Sequence, residues 1–350
     1  MRSFARLSAM ALCAAGAVPA ASVGSPYNTL TGDAPLVIAH RGAPAYLPEN
    51  TIGGNELSAQ MGSDYIETDV MMTSDGVLIA MHDSSLERTT NAEDVLDARN
   101  GGYAVSDYTY AEISELTVEP TGTGSDTYPG FTPADGDPYR VPTFDDMLGA
   151  LTSYNEGNGT DVGILTEGKY AYDSATNQAV IETLIAHGYD TPRESAVQSF
   201  DFENVREYAT LLDAAGVDMG VAQLGSGGLL DGTWYVSETE SFETLAGYTD
   251  TVALYAASIT EGLVDAAHGE GLSVFAWTFR PEEPDAAFAA AEPFLDWGLD
   301  GFITDNPDYL RAAVTEYGQI APVPLPASLP LLAIGMAGLA GLGLRRRRRT

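Results

Sequence analysis

An alternation repeated eight times constrains this chain more than any other feature. Apolar, β-branched runs at 36–40, 65–70, 162–167, 196–200, 219–224, 251–256, 272–277 and 301–305 are separated by longer stretches with helical patterning. Examples of the latter are "TIGGNELSAQMG", "TFDDMLGALTSY", "ATNQAVIETLIAHG", "ENVREYATLLDAAG" and "TEGLVDAAHGEG". Strands that alternate with helices pair in parallel, because each connection must cross back over a face of the sheet. Eight such units predict an α/β fold, a closed (β/α)₈ barrel of the TIM type, over residues 36–317. Several of the helical stretches end in glycine, which readily takes the left-handed conformation after a last helical turn.

One stretch breaks the rhythm. After "GVLIAMHD" (76–83) about 60 residues rich in Tyr, Asp, Gly and Thr pass before the next helix. Residues 84–140 are therefore expected to form an insertion after the second strand, sitting over the barrel mouth as a small cap, with an inert excursion as the alternative.

The two ends read differently from the body. "MRSFARLSAMALCAAGAVPAASVG" places Arg2 and Arg6 before an apolar stretch and then small residues, the layout of a secretory signal peptide over residues 1–22. Cys13, the only cysteine, falls inside it, so the mature chain has no structural disulfide. At the other end, Leu325 to Leu344 carries no charge, is long enough to span a bilayer and is followed by five arginines. Residues 322–350 resemble the bacterial VPLPA/PEP-type C-terminal sorting signal, which implies recognition by a sorting protease; a permanent single-span anchor is the alternative. Both ends predict an exported body, periplasmic or at the cell surface, that touches the membrane through its C-terminal helix alone.

Charge narrows the partners. Seven of the 16 basic residues lie in the two ends and none of the 50 acidic ones does, so the body holds nine positive charges against 50 negative, close to −41. Such a body repels nucleic acid and anionic lipid and favours divalent cations. Its scarce cations become informative: Lys169 is the only lysine, and there are four histidines. Two of these, His187 and His268, stand in "AHG" at helix ends, where an imidazolium suits the helix dipole without any chemistry.

The other two stand elsewhere. In a barrel of this kind chemistry gathers at the C-terminal ends of the strands. His40 and Arg41 end the first strand, and His82 and Asp83 end the short strand after the second. Glu67 and Asp69 are two apart and share one face of the second strand. Glu167 and Lys169 repeat that spacing at the end of the third. Three carboxylates suit a hard cation such as Ca²⁺ or Mg²⁺. Two imidazoles suit an acid and a base on opposite sides of a reaction, and Arg41 and Lys169 suit an anion beside the metal. Together these groups fit cleavage of a phosphodiester.

The landmarks "AHRG" with "PENT" (39–51), "DYIETDVMMTSDGVLIAMHD" (64–83), "TEGK" (166–169), "VQSFD" (197–201), "FAWT" (275–278) and "DGFITDNPD" (300–308) resemble those of the glycerophosphodiester phosphodiesterase family, in its periplasmic, calcium-using form. The resemblance implies metal-dependent hydrolysis of glycerophosphodiesters to glycerol 3-phosphate and an alcohol. Glu67, Asp69 and Glu167 would bind a divalent cation, Ca²⁺ ahead of Mg²⁺, and His40 and His82 would act as general acid and base. Arg41 and Lys169 would contact the phosphate and Trp277 the substrate, a barrel-core role being the alternative for Trp277. Glu49, in "PEN", would support the site by hydrogen bonding or serve only as a turn residue. Gly168 departs from the bulkier residue usual inside E-x-K, which is expected to loosen Lys169. Competing readings are a phospholipase D- or C-like enzyme on the same barrel, which calls for an apolar collar, and a non-catalytic surface protein.

Overall fold

The structure, a computed structural model, describes residues 34–320. The expected signal peptide and the C-terminal tail lie outside the described residues. Among the described residues, no helix is long and apolar enough to cross a membrane.

Eight parallel strands close into one barrel: β1 (Leu36–Ala39), β2 (Tyr65–Met72), β3 (Gly163–Gly168), β4 (Ser195–Ser199), β5 (Gly220–Gly225), β6 (Thr251–Tyr255), β7 (Ser273–Phe279) and β8 (Gly301–Thr304). Each pairs with the next, and β8 returns to β1 through Ile38↔Ile303 and Ala39↔Thr304. The strands read as continuous apolar runs because both of their faces are covered. Around them run α1 (Ile52–Gln60), α2 (Phe144–Asn158), α3 (Ser174–Ala186), α4 (Phe202–Ala215), α5 (Phe242–Leu245), α6 (Glu261–Gly269), α7 (Pro284–Asp296) and α8 (Pro307–Ile320). Caps follow the local chemistry. Thr51 and Thr143 accept from the third residue onward, Gly54 at 3.1 Å and Asp146 at 2.9 Å, and Gly216 takes φ 68° after α4.

Inside the barrel the side chains form layers. Leu36, Ile38, Tyr65, Leu165, Ala196, Leu224, Ala253, Phe275 and Ile303, drawn from all eight strands, make a buried apolar plug. Moving two residues onward along β1, β2, β3, β4 and β7 changes Ile38 to His40, Tyr65 to Glu67, Leu165 to Glu167, Ala196 to Gln198 and Phe275 to Trp277. The strand period of two therefore stacks a polar layer directly on the plug, at the C-terminal rim.

The opposite rim is built from paired carboxylates. Asp64, Asp250 and Asp300 precede β2, β6 and β8, and each accepts the backbone N–H of a residue one strand away: Val37 at 2.7 Å, Val221 at 3.0 Å and Val274 at 2.7 Å. Asp64 also pairs with Arg311 of α8, and Asp300 with His268 of α6 at 2.8 Å. His187 likewise meets Asp145 at 2.8 Å, joining α3 to α2. Both helix-end histidines thus tie helices down, through carboxylates as well as the helix dipole.

Two connections depart from the plain barrel. Between β5 and β6 a three-stranded antiparallel sheet (Gly227–Leu230, Thr233–Val236, Glu240–Ser241) precedes the single turn of α5. Residues 84–140 build a core of their own, in which Leu86, Val105, Tyr108, Ile113, Leu116 and Val118 pack on Met71, Ile79 and Met81. Tyr128, Phe131 and Tyr139 then pack on Ala43, Leu47 and Leu57 at the connection from β1 to α1 and on α1 itself. No residue of 84–140 lines the cavity at the mouth. The segment's tyrosines find their apolar partners beside the rim, at the connection from β1 to α1.

Candidate active site

At the C-terminal rim a cavity of about 250 Å³ is lined by His40, Arg41, Glu67, His82, Glu167 and Lys169 on one side. Phe200, Tyr255, Trp277, Thr278 and Arg280 line the other, with Leu224 and Ile303 of the plug also exposed to it. Register explains the carboxylates. In the β2–β3 ladder Asp69 lies opposite Glu167, and Glu67 is two residues back on the same face. Ligand oxygens of the three approach within 4.8 Å of one another.

These oxygens are poorly satisfied. Glu67 Oε1 and Asp69 Oδ1 are buried and accept no hydrogen bond; Glu167 Oε1 is buried with Lys169 Nζ 2.8 Å away, outside hydrogen-bonding geometry. Burial, then the charges of Asp69 and Glu167, raises Glu67 well above the ordinary carboxylate range. Burial and Asp69 push Glu167 up to about 7 against the pull of Lys169. Asp69 is fully buried too, yet Arg41, His82 and Lys169 outweigh burial and hold it low. Buried carboxylates normally find partners, and crowding them against one another costs stability. A divalent cation would satisfy all three at once, so the donor set fits such an ion.

The surrounding groups are held in place from behind. Arg41 adopts φ 54°, and its N–H donates to Glu67 Oε2 at 2.9 Å. Its guanidinium donates to Glu49 Oε1 at 3.0 Å and places Nε 3.1 Å from Asp69 Oδ2. Asn50, also left-handed, donates to Asp69 Oδ2 at 2.8 Å and accepts the Asp69 N–H at 3.2 Å. Glu49 is thus a supporting residue rather than a bare turn position, and Asn50 is a contributor that the sequence reading missed. Its signal was present in "PENT".

Each histidine has a carboxylate on Nδ1. His40 Nδ1 lies 2.6 Å from Asp305 Oδ1, and Asp305 also binds Arg280 at 2.6 Å. His82 Nδ1 meets Asp83. Asp305 and Asp83 are held below the usual range despite burial, by His40 and Arg280 in one case and by Arg88 and His82 in the other. An ionised carboxylate only accepts, so Nδ1 carries the proton and Nε2 is left as the working nitrogen. Burial lowers both imidazoles below 6.5, more than their carboxylates raise them. At neutral pH the base forms predominate. Asp305 was not singled out from the sequence. It stands 265 residues from His40, and only the closing β1–β8 ladder brings them together.

Lys169 is firmly placed, contrary to the expectation drawn from Gly168. Its ammonium pairs with Glu167 at 2.8 Å and stands 5.4 Å over the Phe200 ring. A Cβ at 168 would strike the Tyr208 hydroxyl, which is bonded to Tyr170 at 2.9 Å. The missing side chain is replaced by these rings. Trp277 contacts Phe200 at 5.6 Å and Tyr255 at 5.4 Å while its Nε1 donates to Ala253 O at 2.9 Å, so it serves both the barrel top and the cavity wall.

The fold and this rim define a barrel protein with a carboxylate cluster suited to a divalent cation, flanked by two carboxylate-oriented imidazoles. Residues 40–309 match the glycerophosphoryl diester phosphodiesterase family. A glycerophosphodiester phosphodiesterase of Haemophilus influenzae is 33% identical over 233 residues, 62% of this chain and 64% of that relative's length. One of Bacillus subtilis is 29% identical over 308 residues, 86% of this chain and 92% of the relative. A solved structure of an Oleispira antarctica phosphodiesterase in complex with the product sn-glycerol-3-phosphate shares the fold, with a TM-score of 0.61 at 20% identity, covering 82% of this chain and 99% of that one. The chain belongs to the glycerophosphoryl diester phosphodiesterase family.

Proposed function

We propose that this chain hydrolyses glycerophosphodiesters to glycerol 3-phosphate and an alcohol, using a divalent cation held by Glu67, Asp69 and Glu167. The observation that carries the reading is the meeting of three buried, poorly satisfied carboxylates with two imidazoles whose Nε2 atoms are free. Family membership supports it, as does the product named for the Oleispira relative.

When bound, the cation supplies charge to polarise a phosphoryl oxygen. The rest is work for the chain's own residues. Arg41 and Lys169 attract and orient the phosphate, and Arg280 adds a third cation at the cavity. With Arg88 behind them, four of the body's nine cations gather at one rim of an acidic body, which favours an anion there over the rest of the surface. For hydrolysis, one imidazole in its base form takes at Nε2 the proton of the attacking water, while the other, which must enter as imidazolium with a proton on each ring nitrogen, gives its Nε2 proton to the departing alkoxide. The rings of Phe200, Tyr255 and Trp277 would cover the organic part of the substrate.

Ca²⁺ is proposed ahead of Mg²⁺. It accepts irregular shells of about six to eight oxygens, to which Glu67, Asp69 and Glu167 would contribute, whereas Mg²⁺ demands a regular octahedron. We place the reaction outside the inner membrane, with residues 1–22 as export signal and residues 322–350 as the sole membrane contact and the substrate of a sorting protease. The test is glycerol 3-phosphate release from glycerophosphocholine by the purified chain in EDTA, Ca²⁺ or Mg²⁺, beside His40→Ala. The expected result is metal-dependent release, with kcat lower by roughly 10²- to 10⁴-fold in the variant. Release unaffected by EDTA, or retained in full by His40→Ala, would reject the assignment.

A further inference from the structure

Arg88 lies in the insertion and does not line the cavity, yet its guanidinium makes four contacts with two carboxylates that do the cavity's supporting work. Nη1 and Nη2 donate to Glu49 Oε2 and Oε1 at 3.0 and 2.8 Å. Nε and Nη2 donate to Asp83 Oδ2 and Oδ1, the latter at 3.1 Å. Glu49 in turn holds Arg41, which flanks Asp69, and Asp83 holds His82. The backbone on either side of Arg88 is anchored: Leu86 and Thr89 are buried, and Thr90 Oγ1 donates to Leu86 O at 2.6 Å. A planar fork presenting five N–H donors suits two bidentate carboxylates at once, and a lysine cannot reproduce it.

We propose that Arg88 is a positioning residue for turnover, a clamp that sets Arg41 and His82 relative to one another through Glu49 and Asp83. The insertion is then a scaffold that delivers this guanidinium, which explains its place beside the rim. The alternative is that Arg88 merely fastens the insertion to the barrel. The two differ in what they predict. A fastener contributes to stability and leaves the rate of a folded enzyme alone, whereas a clamp contributes to rate. Misplacing a reacting group by about 1 Å costs on the order of 10²-fold.

This inference rests on the diesterase reading, and its test separates the two. Arg88→Ala and Arg88→Lys are assayed beside the wild-type chain with glycerophosphocholine and saturating metal, with melting recorded for each. The expected kcat loss is roughly 10- to 100-fold for Arg88→Ala, with KM within about threefold of wild type, partial recovery in Arg88→Lys, and rescue of the alanine variant by added guanidinium. Wild-type kcat in a folded Arg88→Ala chain, or a loss that neither lysine nor guanidinium relieves, overturns the clamp. If the wild type itself releases no glycerol 3-phosphate, the diesterase reading fails. The clamp is then judged by crystal structures: it stands if the His82 ring and the Arg41 guanidinium leave their places in Arg88→Ala, and falls if they do not.

Discussion

The two rims of the barrel use the same residue types to opposite ends. At the N-terminal rim Asp64, Asp250 and Asp300 each accept a backbone N–H from a neighbouring strand, and Asp64 and Asp300 add a cation from a helix. At the C-terminal rim Glu67, Asp69 and Glu167 crowd together, each with one buried oxygen that accepts no hydrogen bond. Carboxylates at the first rim hold strands and helices together. Those at the second have Arg41, Asn50 and Lys169 beside them but still crowd one another, a repulsion that a bound cation or a proton relieves. The contrast teaches that acidity alone says little in a chain with 50 acidic residues; fastening carboxylates each hold their own strand N–H, whereas the functional ones crowd within 4.8 Å of one another.

The sharpest way to break the comparison is to remove one carboxylate from each rim. Asp300→Ala leaves the Val274 N–H without its acceptor and His268 without its partner. Urea unfolding in EDTA is expected to show a loss of about 3 kcal/mol. Glu67→Gln removes a charge crowded by two others and is expected to stabilise the metal-free fold by about 1 kcal/mol. In excess Ca²⁺ the order should reverse, because the wild type gains binding energy that the variant has lost. A metal-free Glu67→Gln chain as weakened as Asp300→Ala would mean that the two rims do not differ.

The smallest effect concerns pH. The hydrogen bond to Asp300 raises His268 above the ordinary 6.5 although burial opposes it. The protonated pair therefore stabilises fully below the unfolded value, and the contribution is lost as pH rises through the higher folded one. Because the imidazole is partly exposed, the stability gap between wild type and His268→Gln should stay below about 1 kcal/mol, widest below the ordinary imidazole range and narrowing as pH rises through the raised folded value. A gap that grows with pH would reverse the assignment.

Much of the site is legible because it is local. The spacing of two in E-x-D and E-x-K places side chains on one face whatever the rest of the chain does, and strand ends in a barrel converge. His40, Arg41, Glu67, His82, Glu167 and Lys169 all reach one cavity on that argument, with Asp69 directly behind Arg41. Asp305 and Arg88 were missed for the opposite reason. One joins His40 through closure of the barrel, the other reaches Glu49 across 39 residues of chain, and no periodicity marks either contact. The effect of Gly168 was misread because one of the two rings that fill its place, Tyr208, comes from a distant helix.

The sequence by itself determined the eight-fold alternation, the polar layer that follows the apolar plug by two residues, and the acid balance that makes each cation informative. These depend on backbone period and composition, which are properties of short windows. Only the tertiary structure decided which carboxylates are satisfied, which histidine leans on which aspartate, and where the insertion's tyrosines pack. Those choices are made when distant segments compete for a few cations and N–H donors. Their outcome depends on register and burial, which exist only once the barrel has closed.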